Sequence, residues 1–296
     1  MNSLVRAPVV VGVDGSPESQ AAVDFAAWEA HRRRLPLRLV HGYQPPIMYG
    51  LSVTVVYDAA APLRYARELV RAEANRVLGR YRDLKGSPVL AVEDPGTLLV
   101  AQSRDAALVV VGSRGLGSFH SLLLGSVSAR VAAHAKVPVI VVRPPARDTG
   151  RAHAGVVVGV DGSPGSAAAV EFAFEEASAR GTGLTAVYAW VVPPTGNLGP
   201  ITEHHYDPVE AQDEADRVLA EATAGWSEKY SEVELVRHAV HSLNPLRTLI
   251  EASGDAELVV VGSRGRNGFA NLLLGSVSDG LVRHARVPVA VVHASE

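Results

Sequence analysis

The sequence predicts an α/β fold built twice over, on three observations. Short continuous apolar runs, Val9-Val10-Val11 and Val109-Val110-Val111 among them, read as parallel strands covered on both faces. Each run is followed by a stretch of helical spacing, the alternation that yields βαβ crossovers and an open parallel sheet. The chain also repeats itself. Shifted by 150 positions, residues 105–142 keep 25 of 38 identities, which marks duplication rather than coincidence. The pattern implies two tandem domains over 1–143 and 155–296, joined by a linker at 144–154 that is rich in proline, glycine and mixed charge.

Composition agrees. A chain of 296 residues suits two domains better than one. With 47% hydrophobic and 20% charged residues, each half can bury a core of its own. A net charge of -3 argues against a nucleic-acid footprint or a polybasic membrane patch. There is no cysteine, which excludes disulfides, thiolate metal sites and cysteine nucleophiles. The first residues lack a signal-peptide layout, and no apolar run approaches the ~20 residues of a bilayer span. The expectation is a cytoplasmic protein with neither nucleic-acid nor membrane partners.

Taken in order, Val9-Val10-Val11-Gly12-Val13-Asp14-Gly15-Ser16-Pro17 is a buried strand, a turn and a helix start, with serine as cap and proline at the first helical position. The second copy is Val156-Val157-Val158-Gly159-Val160-Asp161-Gly162-Ser163-Pro164, at an offset of 147. Helices follow over about 18–34 and its counterpart, carrying Ala22, Phe25, Ala26 and Glu29, or Ala169, Phe172, Ala173 and Glu176, at helical spacing. Second strands are expected at Leu37–His41 and Leu184–Tyr188, then loops through Pro45–Gly50 and Pro193–Pro200. Amphipathic helices are expected over Pro62–Tyr81 and Pro208–Tyr230, and third strands over Val89–Val92 and Leu235–Val240. Brief helices follow over Thr97–Ser103 and Leu246–Ser253. Fourth strands, Leu108–Val111 and Leu258–Val261, lead into the glycine motif. Helices then run over Ser126–His134 and Ser276–His284, before fifth strands over Val137–Val142 and Val287–Val292. The prolines inside the last pair point to a sheet edge.

Two doubled features end strands. One is Asp14 (Asp161). The other is Gly112-Ser113-Arg114-Gly115, followed nine residues later by Gly125-Ser126-Val127-Ser128; its copy is Gly262-Ser263-Arg264-Gly265 with Gly275-Ser276-Val277-Ser278. Two glycines three apart, then a small pair opening a helix, can form a nest of backbone N–H groups for phosphate. Gly115 and Gly265 are expected to turn with positive φ and to let phosphate approach closely. The serine hydroxyls can donate too. Arg114 and Arg264 either clamp phosphate or lie on the surface. A plain tight turn is the competing reading of the glycines, and a helix-start turn residue that of Asp14. If strands one and four are neighbours, carboxylate and nest share a crevice. That suits a nucleotide with Mg²⁺, making Asp14 and Asp161 candidate metal ligands. No Gly-x4-Gly-Lys-Ser/Thr occurs, so this is not a P-loop.

The pattern Gly-x2-Gly-x9-Gly-Ser, with Asp-x-Ser after the first strand, resembles the ATP-binding class of the universal stress protein family, and the tandem arrangement resembles its actinobacterial members. The resemblance covers nearly the whole chain. It implies five-stranded sheets ordered 3-2-1-4-5, ATP as the ligand, and adenine held mostly by backbone near Val40 and Val187. It also implies pairing of domains through the fifth strand, with whole chains then forming a homodimer.

Weaker candidates remain. His134 and His284 recur at helix C-termini, where capping is the plainer role. His204-His205 could take a metal but has no counterpart in the first half, and solvent exposure explains it as well. Trp190 and Trp226 read as packing residues. Three functions are weighed. The first is a regulatory protein binding one ATP per domain and acting through conformation or an unknown partner protein. The second is a slow ATPase or nucleotide-transfer enzyme, which would need a positioned base that the repeats do not supply. The third is a dimerising module with vestigial loops.

Overall fold

The structure, a computed structural model, describes residues 6–44, 60–116, 124–144, 155–191, 207–266 and 274–294. The loops at Pro45–Gly50 and Pro193–Pro200, His204-His205, the four leucines 122, 123, 272 and 273, and positions 145–154 of the linker lie outside the described residues. The chain divides into two compact units, Met1–Pro144 and Pro145–Glu296.

In the first unit the elements run β1 (Val9–Gly12), α1 (Pro17–Arg33), β2 (Leu37–Gly42), α2 (Ala61–Arg80), β3 (Gly86–Ala91), α3 (Pro95–Gln102), β4 (Leu108–Gly112), α4 (Ser126–His134) and β5 (Val139–Val142). The second repeats them as β6 (Val156–Gly159), α5 (Pro164–Arg180), β7 (Leu184–Trp190), α6 (Pro208–Lys229), β8 (Leu235–His241), α7 (Pro245–Ala252), β9 (Leu258–Gly262), α8 (Ser276–His284) and β10 (Val289–Val292). Within the first unit the strands lie side by side as β3-β2-β1-β4-β5, every pair parallel. Within the second they lie as β8-β7-β6-β9-β10, again all parallel. The expected order 3-2-1-4-5 is present in both. The sheet order reverses direction between β1 and β4, and between β6 and β9, which in an open α/β sheet creates a crevice at the strands' carboxyl ends.

Burial explains the centre of each sheet. Val9, Val10, Val11, Leu108, Val109 and Val110 are all fully buried, as are Val158, Leu258, Val259 and Val260. Each such side chain contributes roughly 1.5–3 kcal/mol on burial. α1 packs on β1 and β4 while α3 packs on β2 and α4, so both faces of the central strands are covered. Ser16 starts α1 by accepting the Ser19 N–H at 3.1 Å, with Pro17 at the first position. Ser163 does the same for α5. Both helices end on a left-handed residue, Arg34 at φ 54° and Gly181 at φ 67°. Inside them Glu29 and Glu176 are fully buried, and each is met by arginine from its own helix: Arg32 and Arg33 at 2.6 and 3.0 Å, Arg180 at 2.9 Å.

Several boundaries shift from expectation for physical reasons. β3 begins at Gly86, three residues early, because its register on β2 pairs Leu37 with Gly86 and carries the ladder through Pro88. A proline fits there because β3 is paired only with β2. β5 and β10 begin after their prolines, at Val139 and Val289. Pro138 has no N–H, though its carbonyl accepts from Val109 at 3.1 Å. Those prolines therefore sit just before the strands, and β5 and β10 are the last strands of their units' orders, as the prolines suggested. α3 and α7 start two and one residues early, at Pro95 and Pro245, capped by Asp94 and Asn244.

Candidate functional site

The first loop after β1 is organised by one carboxylate. Asp14 Oδ1 accepts the Ser16 N–H at 2.9 Å and the Ser16 hydroxyl at 2.6 Å. Its Oδ2 accepts the N–H of Leu116 at 3.0 Å, beyond the end of β4. The second unit repeats this: Asp161 Oδ1 accepts from the Ser163 N–H at 2.9 Å, and Oδ2 from the Arg266 N–H at 3.1 Å. Each aspartate is thus a latch between the β1 turn and the glycine loop. A serine five residues later steadies its backbone, with Ser19 Oγ accepting the Asp14 N–H and Ser166 Oγ the Asp161 N–H, at 3.0 and 3.1 Å.

The latch explains the second glycine of the motif. A Cβ on Gly115 would sit 2.2 Å from Asp14 Oδ2, and one on Gly265 would sit 2.5 Å from Asp161 Oδ2. Neither glycine has positive φ, contrary to expectation. What requires glycine is the close approach of the aspartate. The first glycine has another neighbour: a Cβ on Gly112 or Gly262 would lie 2.7 or 2.6 Å from the backbone of Glu18 or Gly165, in the first turn of α1 or α5. The third glycine closes the loop at its base. Gly125 N–H donates to the Ser113 carbonyl at 2.8 Å, and Gly275 to Ser263 at 2.8 Å.

Gly125 is also the N-cap of α4, and Gly275 that of α8. Having no side chain, they leave the opening N–H groups of Ser126-Val127-Ser128 and Ser276-Val277-Ser278 without a side-chain cap, whereas α1, α3, α5, α6 and α7 are each capped by serine, aspartate or asparagine. An uncapped N-terminus presents N–H groups and a positive dipole end to an outside anion. The serine hydroxyls divide. Ser128 and Ser278 are buried and their hydroxyls donate inward, to Gly112 O at 2.6 Å and to Ser263 O at 2.9 Å. Ser126 and Ser276 are exposed.

The structure brings all the sequence-derived residues of each copy together. A cleft of about 600 Å³ in the first unit is lined by Asp14, Val40, Gly112, Arg114, Gly115 and Gly125 through Ser128. One of about 440 Å³ in the second is lined by Asp161, Val187, Gly262, Arg264, Gly265 and Gly275 through Ser278. Val40 and Val187 are at the inner wall; their carbonyls accept from Val13 and Val160 at 2.9 and 2.8 Å. Sequence reading missed the opposite wall, Pro95 and Leu99 from α3 and Pro245 and Leu249 from α7. Apolar residues of short helices carry no signal of facing a cleft. It also missed Ser19 and Ser166, although the repeated Asp-Gly-Ser-Pro-x-Ser was there to read.

Each cleft therefore has an apolar slot (Val13, Val40, Leu99 and Val111 in the first) beside an uncapped helix N-terminus. That shape accepts a flat ring at one end and an anion at the other. The two differ in charge. Arg114 pairs with Glu18 at 2.8 Å, and burial followed by the like charge of Arg114 pulls the Arg143 guanidinium below its usual pKa. Arg264 is exposed, and glycine, Gly165, stands at the position of Glu18. His41 lines the first cleft, its Nδ1 donating to Val13 O at 2.6 Å. Tyr188 stands at that place in the second. Among the described residues no group of three or more His, Asp or Glu side chains could hold a metal, so a cation here would depend on ligand oxygens beside Asp14 or Asp161. No described helix is long and apolar enough to cross a membrane.

His134 caps its own helix, with Nδ1 3.0 Å from the Arg130 carbonyl. Trp190 packs against His241 and Trp226 against Tyr230.

Comparison with known proteins places the chain. The sequence profile of the universal stress protein family matches twice, over residues 6–143 and 155–293. A universal stress protein of Mycolicibacterium smegmatis is 37% identical over 96% of both chains. One from Mycobacterium tuberculosis is 38% identical over 97% of this chain and 96% of its own. Among solved structures, a universal stress protein from Archaeoglobus fulgidus shares the fold, with a TM-score of 0.68 over 97% of this chain and 98% of that one, at 20% identity.

Proposed function

The chain belongs to the universal stress protein family, and we propose that residues 1–143 and 155–296 form two nucleotide-binding domains that each take one ATP. The observation that carries the proposal is the doubled cleft, in which an aspartate-latched glycine loop and an uncapped helix N-terminus lie beside an apolar slot. The base fills the slot against Val40 and Leu99, or Val187 and Leu249. The phosphates reach the N–H groups of Ser126-Val127-Ser128, or Ser276-Val277-Ser278, where the dipole adds about 0.3–1 kcal/mol. Arg114 and Arg264 border the phosphate end. Magnesium, when bound, would screen phosphate charge, held by phosphate oxygens and water with Asp14 or Asp161 as the protein carboxylate.

The chemistry supports holding rather than turnover. Asp14 already accepts three protein hydrogen bonds and Asp161 two, which makes them structural anchors more than free bases. Tying the β1 turn to the glycine loop, each latch gives occupancy a route to conformation, which a protein partner can read. The test is thermal unfolding with and without Mg-ATP. A ligand bound only by the folded state raises the midpoint as its concentration grows past Kd. A concentration-dependent rise is expected; an unmoved midpoint up to millimolar Mg-ATP would overturn the reading.

A further inference from the structure

The two clefts share their frame but not their charge. At the first residue after the glycine motif the first unit has Leu116 and the second Arg266. The backbone N–H of Arg266 is held by Asp161 at 3.1 Å, which fixes its Cα at the cleft mouth. Its guanidinium donates to the Tyr188 hydroxyl at 2.6 Å and lies 5.6 Å from that ring's centroid, so it bridges the glycine loop and the end of β7. The bridge needs Tyr188, and the first unit has His41 there, turned to Val13 O.

A second difference adds to the first. Arg114 is neutralised by Glu18 across 2.8 Å, whereas Gly165 at that place leaves Arg264 no such acid. Of the charged side chains lining the second cleft, Arg264 and Arg266 stand against Asp161. In the first, Arg114 stands against Asp14, with Glu18 paired to it from α1. Nearby, Asp279 on α8 is paired with Arg283 at 2.8 Å, and Arg143 on the first unit lies outside the cleft lining.

We propose that the second cleft selects the more highly phosphorylated nucleotide and that Arg266, resting on Tyr188, is the residue that determines this. Tyr188 is a neutral acceptor, so exchanging it for a terminal phosphate oxygen replaces a bond charged only at its donor with one charged at both ends, which can also be bidentate. The first cleft, with its arginine neutralised and a leucine at the mouth, distinguishes ATP from AMP less. The proposal rests on the nucleotide reading above.

The experiment is calorimetric titration of the full chain with Mg-ATP and, separately, AMP, for the wild type, Arg266→Leu and Glu18→Gln. Arg266 is exposed, and Glu18→Gln keeps the side chain's shape. The wild type should show two classes of ATP site. Arg266→Leu should weaken the tighter class about tenfold, the loss of one charged hydrogen bond, and change AMP affinity less than about twofold. Glu18→Gln, by freeing Arg114, should tighten the weaker class and leave the tighter one unmoved. ATP binding unchanged by Arg266→Leu, or ATP and AMP weakened by one common factor, would overturn the proposal and leave Arg266 a packing residue. A wild type that binds neither nucleotide would overturn the nucleotide reading itself, and this proposal with it.

Discussion

Asp14 reaches across 102 positions of sequence to accept the Leu116 N–H at 3.0 Å, and Asp161 repeats the bond with Arg266 at 3.1 Å. The glycine loop is therefore held as much by a carboxylate as by its own turn, and the clearest consequences follow from that.

Gly115→Ala puts a Cβ 2.2 Å from Asp14 Oδ2, which forces the carboxylate aside. The loop should lose its anchor and the first site its ATP affinity, by about tenfold or more, the scale of a lost charged hydrogen bond. Fold should persist, since Gly115 lies outside the core. Titration calorimetry on the single variant and on the double variant with Gly265→Ala should show one site lost, then both.

Burial of Glu176 makes Arg180 indispensable. The guanidinium is 3% exposed, 2.9 Å from Glu176 and 3.4 Å from Glu257. Arg180→Ala leaves a buried carboxylate without that partner, which costs on the order of 3–5 kcal/mol. Urea unfolding followed by tryptophan fluorescence should show the midpoint falling with little change in slope.

Arg34 holds φ at 54° where the second unit uses Gly181 at 67°. The strain of a non-glycine residue there is about 1 kcal/mol or more. Arg34→Gly should therefore raise stability by about 1 kcal/mol, despite the extra chain entropy glycine brings to the unfolded state. Chemical denaturation measures it directly.

Asp94 caps α3, and the Thr97 N–H at 2.9 Å, followed by the Thr97 hydroxyl and Arg130, holds its carboxyl below the ordinary aspartate value of 3.8. A folded pKa below the unfolded one means that the stability Asp94 contributes is present above the ordinary value and is lost as pH falls through the folded value. Asp94→Asn, which keeps a capping oxygen but no charge, should lower stability modestly at neutral pH and flatten the acid limb of the profile below pH 3.8, so that the two proteins converge in acid. Carboxyl NMR titration of Asp94 checks the direction.

The cleft residues were legible because duplication doubled them, whereas the strand order came only from the resemblance that their motif carries: a glycine turn seen once says little, and seen twice with its Gly-Ser it points to a site. The reason for each glycine was not legible. Gly112 is small because α1 presses its backbone there, and Gly115 because Asp14 does; sequence shows a missing Cβ but not what fills its place. The pairing of Arg114 with Glu18 was hidden for a similar reason, since the two lie on different elements that only the β1–β4 adjacency brings together. The strand starts at Val139 and Val289 were hidden by the apolar residues ahead of their prolines, which continue the pattern but not the ladder.

The first measurement to make is the nucleotide carried by the full chain purified without added ligand, denatured and resolved by chromatography. Two clefts of this construction predict close to two adenine nucleotides per chain. An empty protein whose unfolding Mg-ATP also leaves unmoved would contradict the reading and reduce both glycine loops to turns.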